Sequence, residues 1–323
     1  MDLSIVIALY NEEESVPELL AWIEKALSSQ KLQYEIILID DGSTDKSWEV
    51  IENESKHYET LSAIRFSRNY GKSAALFTGF EAAIGEVVVT MDADLQDSPE
   101  EIPELYEMII NQGYDLVSGW KKRRKDNKLA KNLPSKLYNR VARRVTGLKL
   151  HDMNCGLKAY RKEVIKNVEV YGEMHRYIPY LAKIAGFRNI GEKVVKHQAR
   201  KFGKSKFGMD RFVNGFLDLI TLWFLSKFGK RPMHFFGTFG TLTFFVGFAT
   251  AAYLVTDKLI SQANGLKFRQ VADQPLFYIS LVALIIGMQL FLAGFVGELV
   301  SRNSTERNNY KIKERLKKGT PNG

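Results

Sequence analysis

The chain is poor in the residues that cross-link or metallate small folds. One cysteine, Cys155, stands in 323 residues, so no intramolecular disulfide can form, as expected of a domain kept in reducing cytosol. The few histidines, His57, His151, His175, His197 and His234, never fall at zinc-ligand spacing. Phosphate-binding glycine loops are missing too. No G-x-G-x-x-G follows the first apolar run, which disfavours a dinucleotide enzyme, and no G-x-x-x-x-G-K-[ST] occurs, which removes a P-loop nucleotidase. A G-x-S-x-G nucleophile elbow is also absent. No signal peptide is expected, because Ser4–Leu9 reads as a strand and not as a secretory apolar core.

Charge is missing from two long stretches. Residues 232–256 and 274–297 carry no Asp, Glu, Lys or Arg over about 25 and about 24 positions, close to the roughly 20 that cross a bilayer as a helix. Buried core helices are the alternative, but two such lengths in succession are rare in soluble folds. Lys227, Lys230 and Arg231 precede the first stretch, and Arg302, Arg307, Lys311, Lys313, Arg315, Lys317 and Lys318 follow the second. Between them Lys258, Lys267 and Arg269 are offset by Asp257 and Asp273. That bias places both termini and the preceding domain in the cytoplasm, with the connecting loop outside. The net charge of +9 gathers at these flanks and over residues 121–144, which suits lipid headgroups and phosphates and gives no reason to expect nucleic acid. Phe212, Phe216, Leu219, Ile220, Trp223 and Phe224 recur at helical spacing, as in a helix lying in the membrane interface or packed on the preceding domain. The organisation expected is a globular domain over 1–208, a juxtamembrane amphipathic helix over 209–231, and two spans over 232–300 with an external loop near 257–273. A basic tail over 301–323 follows, part helix and part disorder.

Residues 1–120 alternate apolar strands with amphipathic helices: strands near 4–9, 35–40, 62–66, 86–91 and 115–120, helices near 14–28, 46–56, 72–84 and 100–111. Such alternation predicts a mostly parallel sheet covered by helices on both faces. Ligands of these sheets bind outside the carboxyl ends of the strands, here Ala8–Asn11, Asp40–Ser43, Ser67–Lys72 and Asp92–Gln96. The last is the most telling. Asp92 and Asp94, two positions apart after an apolar run, point the same way on an extended chain. Paired carboxylates call for a cation, and oxygen ligands suit Mg²⁺ or Mn²⁺. Alone, the pattern fits equally an acidic strand-to-helix turn in which Asp97 or Ser98 caps the helix that Pro99 begins.

Together these segments resemble the family-2-type glycosyltransferases of GT-A fold, in the branch of the polyprenyl-phosphate sugar transferases. The residues that carry the resemblance are Ser4–Glu13, Ile39–Asp45, Arg68-Asn69-Tyr70-Gly71-Lys72, Asp92–Asp97, Gly203-Lys204-Ser205-Lys206-Phe207 and the two apolar stretches. The resemblance implies a Rossmann-like GT-A domain followed by interfacial and transmembrane helices. It implies transfer of a hexose from a nucleotide-diphosphate sugar to undecaprenyl or another polyprenyl phosphate, with inversion. UDP-glucose or UDP-N-acetylglucosamine is favoured as donor over GDP-mannose, and the resemblance also implies a multi-pass protein of the bacterial inner membrane and a homo-oligomer, a tetramer in some relatives.

Donor contacts are expected from Ala8, Leu9, Tyr10, Asn11, Glu12, Asp41, Asn69, Lys72, Asp92, Ala93 and Asp94. Tyr10 offers a face for the base, and Glu12 and Asp41 offer acceptors for base and ribose. Asp92, Asp94 and Gln96 form the expected metal site, acting on the donor diphosphate. Of these, Asp94 and Gln96 are the direct ligands and Asp92 is shared between metal and ribose, which returns Asp97 to a helix cap. A polyprenyl phosphate is already an anion, so the site must chiefly neutralise and align two repelling groups. Arg200, Ser205 and Lys206 are the first candidates for that work, with Lys121, Arg124 and Ser135 as second candidates. The family often has Arg where this chain has Lys121, and Lys is not an equivalent phosphate clamp. Asp152 matches a family Asp near the anomeric carbon, with a turn-forming role as the competing account. Rival readings are a processive polysaccharide synthase, which would need more spans and a Q-x-x-R-W segment not found here, and a catalytically idle membrane scaffold.

Overall fold

Three apolar runs form the centre of the sheet. β1 (Leu3–Leu9), β2 (Tyr34–Asp40) and β4 (Val87–Asp92) are buried along almost their whole length, the pattern of parallel strands covered on both faces. In this computed structural model, which describes residues 1–122, 142–144, 146–172, 174–199, 201–202, 221, 224, 227–228, 232–267, 269–303 and 312–316, β1 pairs in parallel with β2 on one side and β4 on the other. β3 (Leu61–Phe66) extends the sheet beyond β2. β5 (Leu116–Trp120), β6 (Lys158–Arg161) and β7 (Ile190–Val194) continue it beyond β4, and β8 (Ile312–Leu316) closes the far edge. The order is β7-β5-β6-β4-β1-β2-β3-β8, with β6 antiparallel to β4 and β5, and β8 antiparallel to β3.

Helices α1 (Val16–Leu27), α2 (Ser47–Glu54) and α4 (Ile102–Ile110) pack on one face of the sheet. Leu19, Ile23, Ile51 and Leu105 meet Ile5, Ile7 and Leu38 there. α3 (Lys72–Ala82), α5 (Lys162–Lys166) and α6 (Ile178–Ile184) cover the other, with Ala75, Phe80, Val164 and Ile178 against Val6, Ile37 and Ile39. Neighbouring β1 residues Val6 and Ile7 enter opposite clusters, as the two-residue period of a strand requires. The alternation of strands and helices is as expected; α5 and the insertion of β6 between β4 and β5 had no signal of their own. The tail departs from expectation, because Ile312–Leu316 is a strand and not a helix. Of the expected interfacial helix at 209–231, all but four positions lie outside the described residues.

The chain divides into two compact units, Met1–Ile220 with Arg307–Gly323, and Thr221–Glu306. The second holds two helices long and apolar enough to cross a membrane, α7 (Pro232–Ala263) and α8 (Pro275–Asn303). They run antiparallel along a seam of small residues. A Cβ on Gly240 would meet the Gly287 carbonyl at 2.6 Å, one on Gly247 the Ser280 carbonyl at 2.7 Å, and one on Gly294 the Phe236 Cβ at 2.9 Å. Close backbone approach of this kind is how apolar helices associate without a hydrophobic driving force. Leu242, Phe245, Ile279 and Ile285 point outward and are exposed. α7 runs beyond the charge-free stretch through Asp257 and Lys258, since nothing breaks the helix before Asn264 and Gly265.

Candidate active site

Strand register brings the polar strand ends level. Ala8 stands opposite Asp92, and Leu9 opposite Asp40, so Tyr10–Glu12, Asp41 and Asp92–Gln96 emerge side by side. This is the switch point of the sheet, where β1 has β2 on one flank and β4 on the other. Two residues here hold a left-handed backbone, Asn11 at φ 56 and Leu95 at φ 59. For Leu95 that conformation costs on the order of 1 kcal/mol, offset by burial of its side chain in the core. It turns the chain between Asp94 and Gln96, whose amide donates to Asp94 Oδ1 at 3.2 Å.

Asp41 ties β2 to the loop before α3. Its two carboxylate oxygens accept the amides of Tyr70 and Gly71 at 2.7 and 2.9 Å. Burial pushes its pKa up to about 6 against the opposing effect of those two bonds. Gly42 behind it has no room for a side chain, since a Cβ would lie 2.3 Å from the Arg68 carbonyl carbon. The loop so fixed delivers Lys72, the first residue of α3, whose ammonium bonds Asp92. Burial alone would raise the Asp92 carboxyl, but the charges of Lys72, Lys121 and Lys158 hold it well below the usual carboxylate range.

A cavity of about 210 Å³ opens beside this point. Asp92, Asp94, Gln96, Lys72 and Lys121 border it, together with Asn154, Cys155 and Gly156 from the loop before β6. Gly156 packs so closely that a Cβ there would come within 2.5 Å of Asp92 Oδ2. Thr90, Lys158 and Tyr160 of β4 and β6, with His175 and Arg176 from the turn before α6, also line it. Burial, and then the charges of Lys72 and Arg176, push His175 far below its ordinary pKa, so it is neutral, and its Nδ1 lies 3.1 Å from Ser73 Oγ. Burial lowers Lys158 as well and pushes the Cys155 thiol up to about 12, which removes Cys155 as a nucleophile.

Several expected roles are placed differently. Asp97 is no helix cap: it is fully buried and pairs with Lys121 Nζ at 2.7 Å. A long cation just after β5 reaches the anion that the chain turns inward after Gln96, and Asp97's charge raises the pKa of Lys121 despite its burial. Asp152 is buried, accepts the Asn154 amide at 3.1 Å in an Asx turn, and is not among the residues that line the cavity. Glu12 turns its carboxylate to Ser15 Oγ at 2.8 Å. Arg124, Ser135, Arg200, Ser205 and Lys206 lie outside the described residues. Lys158, His175 and Arg176 were missed. A lysine between Leu157 and Ala159, at the start of β6, was the one available signal.

The donor set fits Mg²⁺ or Mn²⁺. Asp94 and Gln96 offer oxygen ligands at the rim, with Asp92 beside them. Among the described residues no three His, Cys, Asp or Glu side chains are placed to hold a metal ion by themselves; Mg²⁺ bound through one or two carboxylates together with substrate phosphates is the usual arrangement.

Comparison with known proteins places the chain in a family. Residues 4–169 match the model for glycosyl transferase family 2. The chain is 36% identical over 307 residues to dodecaprenyl-phosphate galacturonate synthase of Rhizobium johnstonii, covering 94% of this chain and 88% of that protein. It is equally 36% identical, over 304 residues, to undecaprenyl-phosphate 4-deoxy-4-formamido-L-arabinose transferase of Aeromonas hydrophila, covering 94% and 89%. Among solved structures, glucosyl-3-phosphoglycerate synthase of Mycobacterium tuberculosis, in complex with Mn²⁺ and UDP-glucose, shares the fold. The TM-score is 0.53 at 18% identity, over 70% of this chain and 78% of that one. The chain therefore belongs to glycosyl transferase family 2, a glycosyltransferase whose curated relatives are polyprenyl-phosphate sugar transferases.

Proposed function

We propose that the protein transfers one hexose-type sugar from a UDP-sugar to undecaprenyl phosphate or a similar polyprenyl phosphate, with inversion, at the cytoplasmic face of the bacterial inner membrane. The observation that carries this reading is the convergence of Asp41, Lys72, Asp92, Asp94 and Gln96 on the level ends of β1, β2 and β4, beside a sugar-sized cavity. Relatives that act with dodecaprenyl and undecaprenyl phosphate supply the acceptor class, and the two candidate spans suit a lipid substrate. The expectation of glucose or N-acetylglucosamine has no residue of its own in the cavity.

The acceptor phosphate attacks as an anion. Its oxygen forms the new bond to the anomeric carbon while the bond from that carbon to the diphosphate breaks, its electron pair leaving with UDP. No side chain need form a covalent intermediate or remove a proton. A divalent ion held by Asp94 and Gln96, with Asp92, would supply charge neutralisation for the leaving diphosphate. Lys72 adds a fixed cation at the same place, and Asp41 sets its position through the Tyr70–Gly71 amides. Arg200, Ser205 and Lys206 are assigned to the lipid phosphate, with Arg124 and Ser135 behind them. Lys121, held by Asp97 at the edge of the cavity, contributes positive charge there. Asp152 shapes the loop that carries Asn154 and Gly156.

The test is transfer of labelled sugar to undecaprenyl phosphate by the full chain in nanodiscs with Mg²⁺ or Mn²⁺. Asp94→Asn is expected to lower turnover at least about 100-fold while UDP still binds. Absence of transfer with any of a broad donor panel would sink the reading.

A further inference from the structure

Beyond the sheet, the first two loops of the site are joined by side chains alone. The last rung between the two chains runs from the Asp41 amide to the Leu9 carbonyl at 2.9 Å, and no backbone-to-backbone bond links residues 10–15 to residues 42–47. The amides of Asn11 and Glu12 donate instead to Ser43 Oγ at 2.9 Å and Ser47 Oγ at 2.8 Å. In return, the Thr44 amide donates to Asn11 Oδ1 and the Lys46 amide to Glu13 Oε2, both at 2.8 Å. Asn11 Nδ2 also donates to Thr44 Oγ1 at 3.2 Å. Ser43 is itself fixed, because its amide donates to the buried Asp40 carboxylate at 2.8 Å.

Asn11 is the centre of this lacing. Its backbone is left-handed at φ 56, a conformation that Asn enters more readily than most residues but still at a cost. Three bonds to Ser43 and Thr44 offset that cost. The loop so held fixes Tyr10 from both sides, since the Leu9 carbonyl before it and the Asn11 amide after it are each bonded to the chain that follows β2. Asn11, Ser43 and Thr44 do not line the cavity beside Asp92, and the Asn11 side chain is turned to Thr44. An aromatic ring stacks well only within a narrow range of tilt and distance. A side chain fixed beforehand also loses less entropy on binding.

We infer that Asn11, locked by Ser43 and Thr44, positions Tyr10 for the base of the nucleotide donor and does not contact the donor itself. This inference rests on the UDP-sugar reading above, with the base over the ends of β1 and β2.

The experiment is calorimetric binding of UDP with Mg²⁺ to the full chain in nanodiscs, in a cycle of Tyr10→Ala, Asn11→Gly and the double variant. Glycine keeps the left-handed backbone without strain and removes the side-chain bonds. Each single change is expected to weaken UDP by roughly fivefold or more, and the double variant should bind about as weakly as Tyr10→Ala alone. Ser43→Ala should act in the same direction as Asn11→Gly. Thr44→Val, at an exposed position, should lose part of the affinity, and Thr44→Ser should keep it. A loss from Asn11→Gly that persists undiminished beside Tyr10→Ala would mean that Asn11 touches the nucleotide, and overturns the inference. So does an unchanged UDP affinity in Asn11→Gly with only the melting temperature lowered, or an unchanged affinity in Tyr10→Ala. Should Asn11→Gly fail to fold, the two Thr44 variants decide, and equal UDP affinity in both overturns the inference. No UDP binding by the wild type would sink the donor reading and this inference together. The expected coupling without transfer to any polyprenyl phosphate would overturn the acceptor reading and leave the role of Asn11 intact.

Discussion

A methyl group at position 156 would stand 2.5 to 2.7 Å from the three carboxylate atoms of Asp92. Those atoms end a side chain, so the fold can accept Gly156→Ala by swinging Asp92 away from its place beside Lys72. Stability should fall by about 1 kcal/mol or less. A displacement near 1 Å at the diphosphate should instead lower kcat/KM by roughly 10- to 100-fold. Thermal melts and transfer rates on the same preparation check this, and unchanged transfer would detach Asp92 from the chemistry. Asp41 gives a pH signature. Its carboxyl moves from an ordinary 3.8 up to about 6 in the fold, chiefly through burial. The folded state holds that proton more tightly, so the stability it adds is present below about pH 4 and is lost as pH rises through 6. The two-unit difference corresponds to about 3 kcal/mol at most. Asp41→Asn should flatten the fall in Tm between pH 4 and 6.5, and an unaltered slope would assign the fall to other groups.

Helix α3 shows how much was legible before the fold was known. Its span, and the position of Lys72 at its start, follow from the glycine before it and the apolar run after it. The strands β1 to β5 were equally plain, because buried parallel strands read as unbroken Val, Ile and Leu runs, and their carboxyl ends located the site. What could not be read was the inner wall. Lys158 lies in β6, a four-residue strand, and His175 and Arg176 lie in a single 3-10 turn; segments so short carry no period. Asp97 misled for a related reason: its spacing is that of a cap, and only the tertiary partner Lys121 turns it inward. Close approach was invisible too. A Cβ on Gly79 would lie 2.2 Å from Val6 Cγ1, so the seat of α3 on β1 depends on a missing methyl. Gly79→Ala should therefore destabilise by about 1–3 kcal/mol through overpacking, despite a helix-propensity gain of about 1 kcal/mol. Adding Val6→Ala should recover much of the loss. Denaturant unfolding of the four proteins in that cycle tests the coupling, and strictly additive effects would refute it.

The pairing of β8 with β3 constrains the path of the chain through the membrane. Ala63 stands opposite Leu316 and Ile64 opposite Arg315 in one sheet, so residues 61–66 and 312–316 occupy the same side of any bilayer. Between them lie α7 and α8, two helices of spanning length. An even number of crossings returns the chain to its starting side, which is the topology that the Lys and Arg bias independently indicates. The strand register asks only that both ends lie on one side; the charge distribution adds the orientation to be tested, with both ends inside and the turn around Asn264 outside. The molecule is convenient for testing this. Its one thiol, Cys155, is buried, and its pKa is pushed up to about 12, so the background against a maleimide should be low. In intact cells a membrane-impermeant maleimide should label Asn264→Cys at once. Lys31→Cys, on an exposed part of the catalytic unit, should react only after permeabilisation. Labelling of both positions from the same side would mean that α7 and α8 do not cross as a pair, and labelling of Lys31→Cys alone from outside would reverse the orientation.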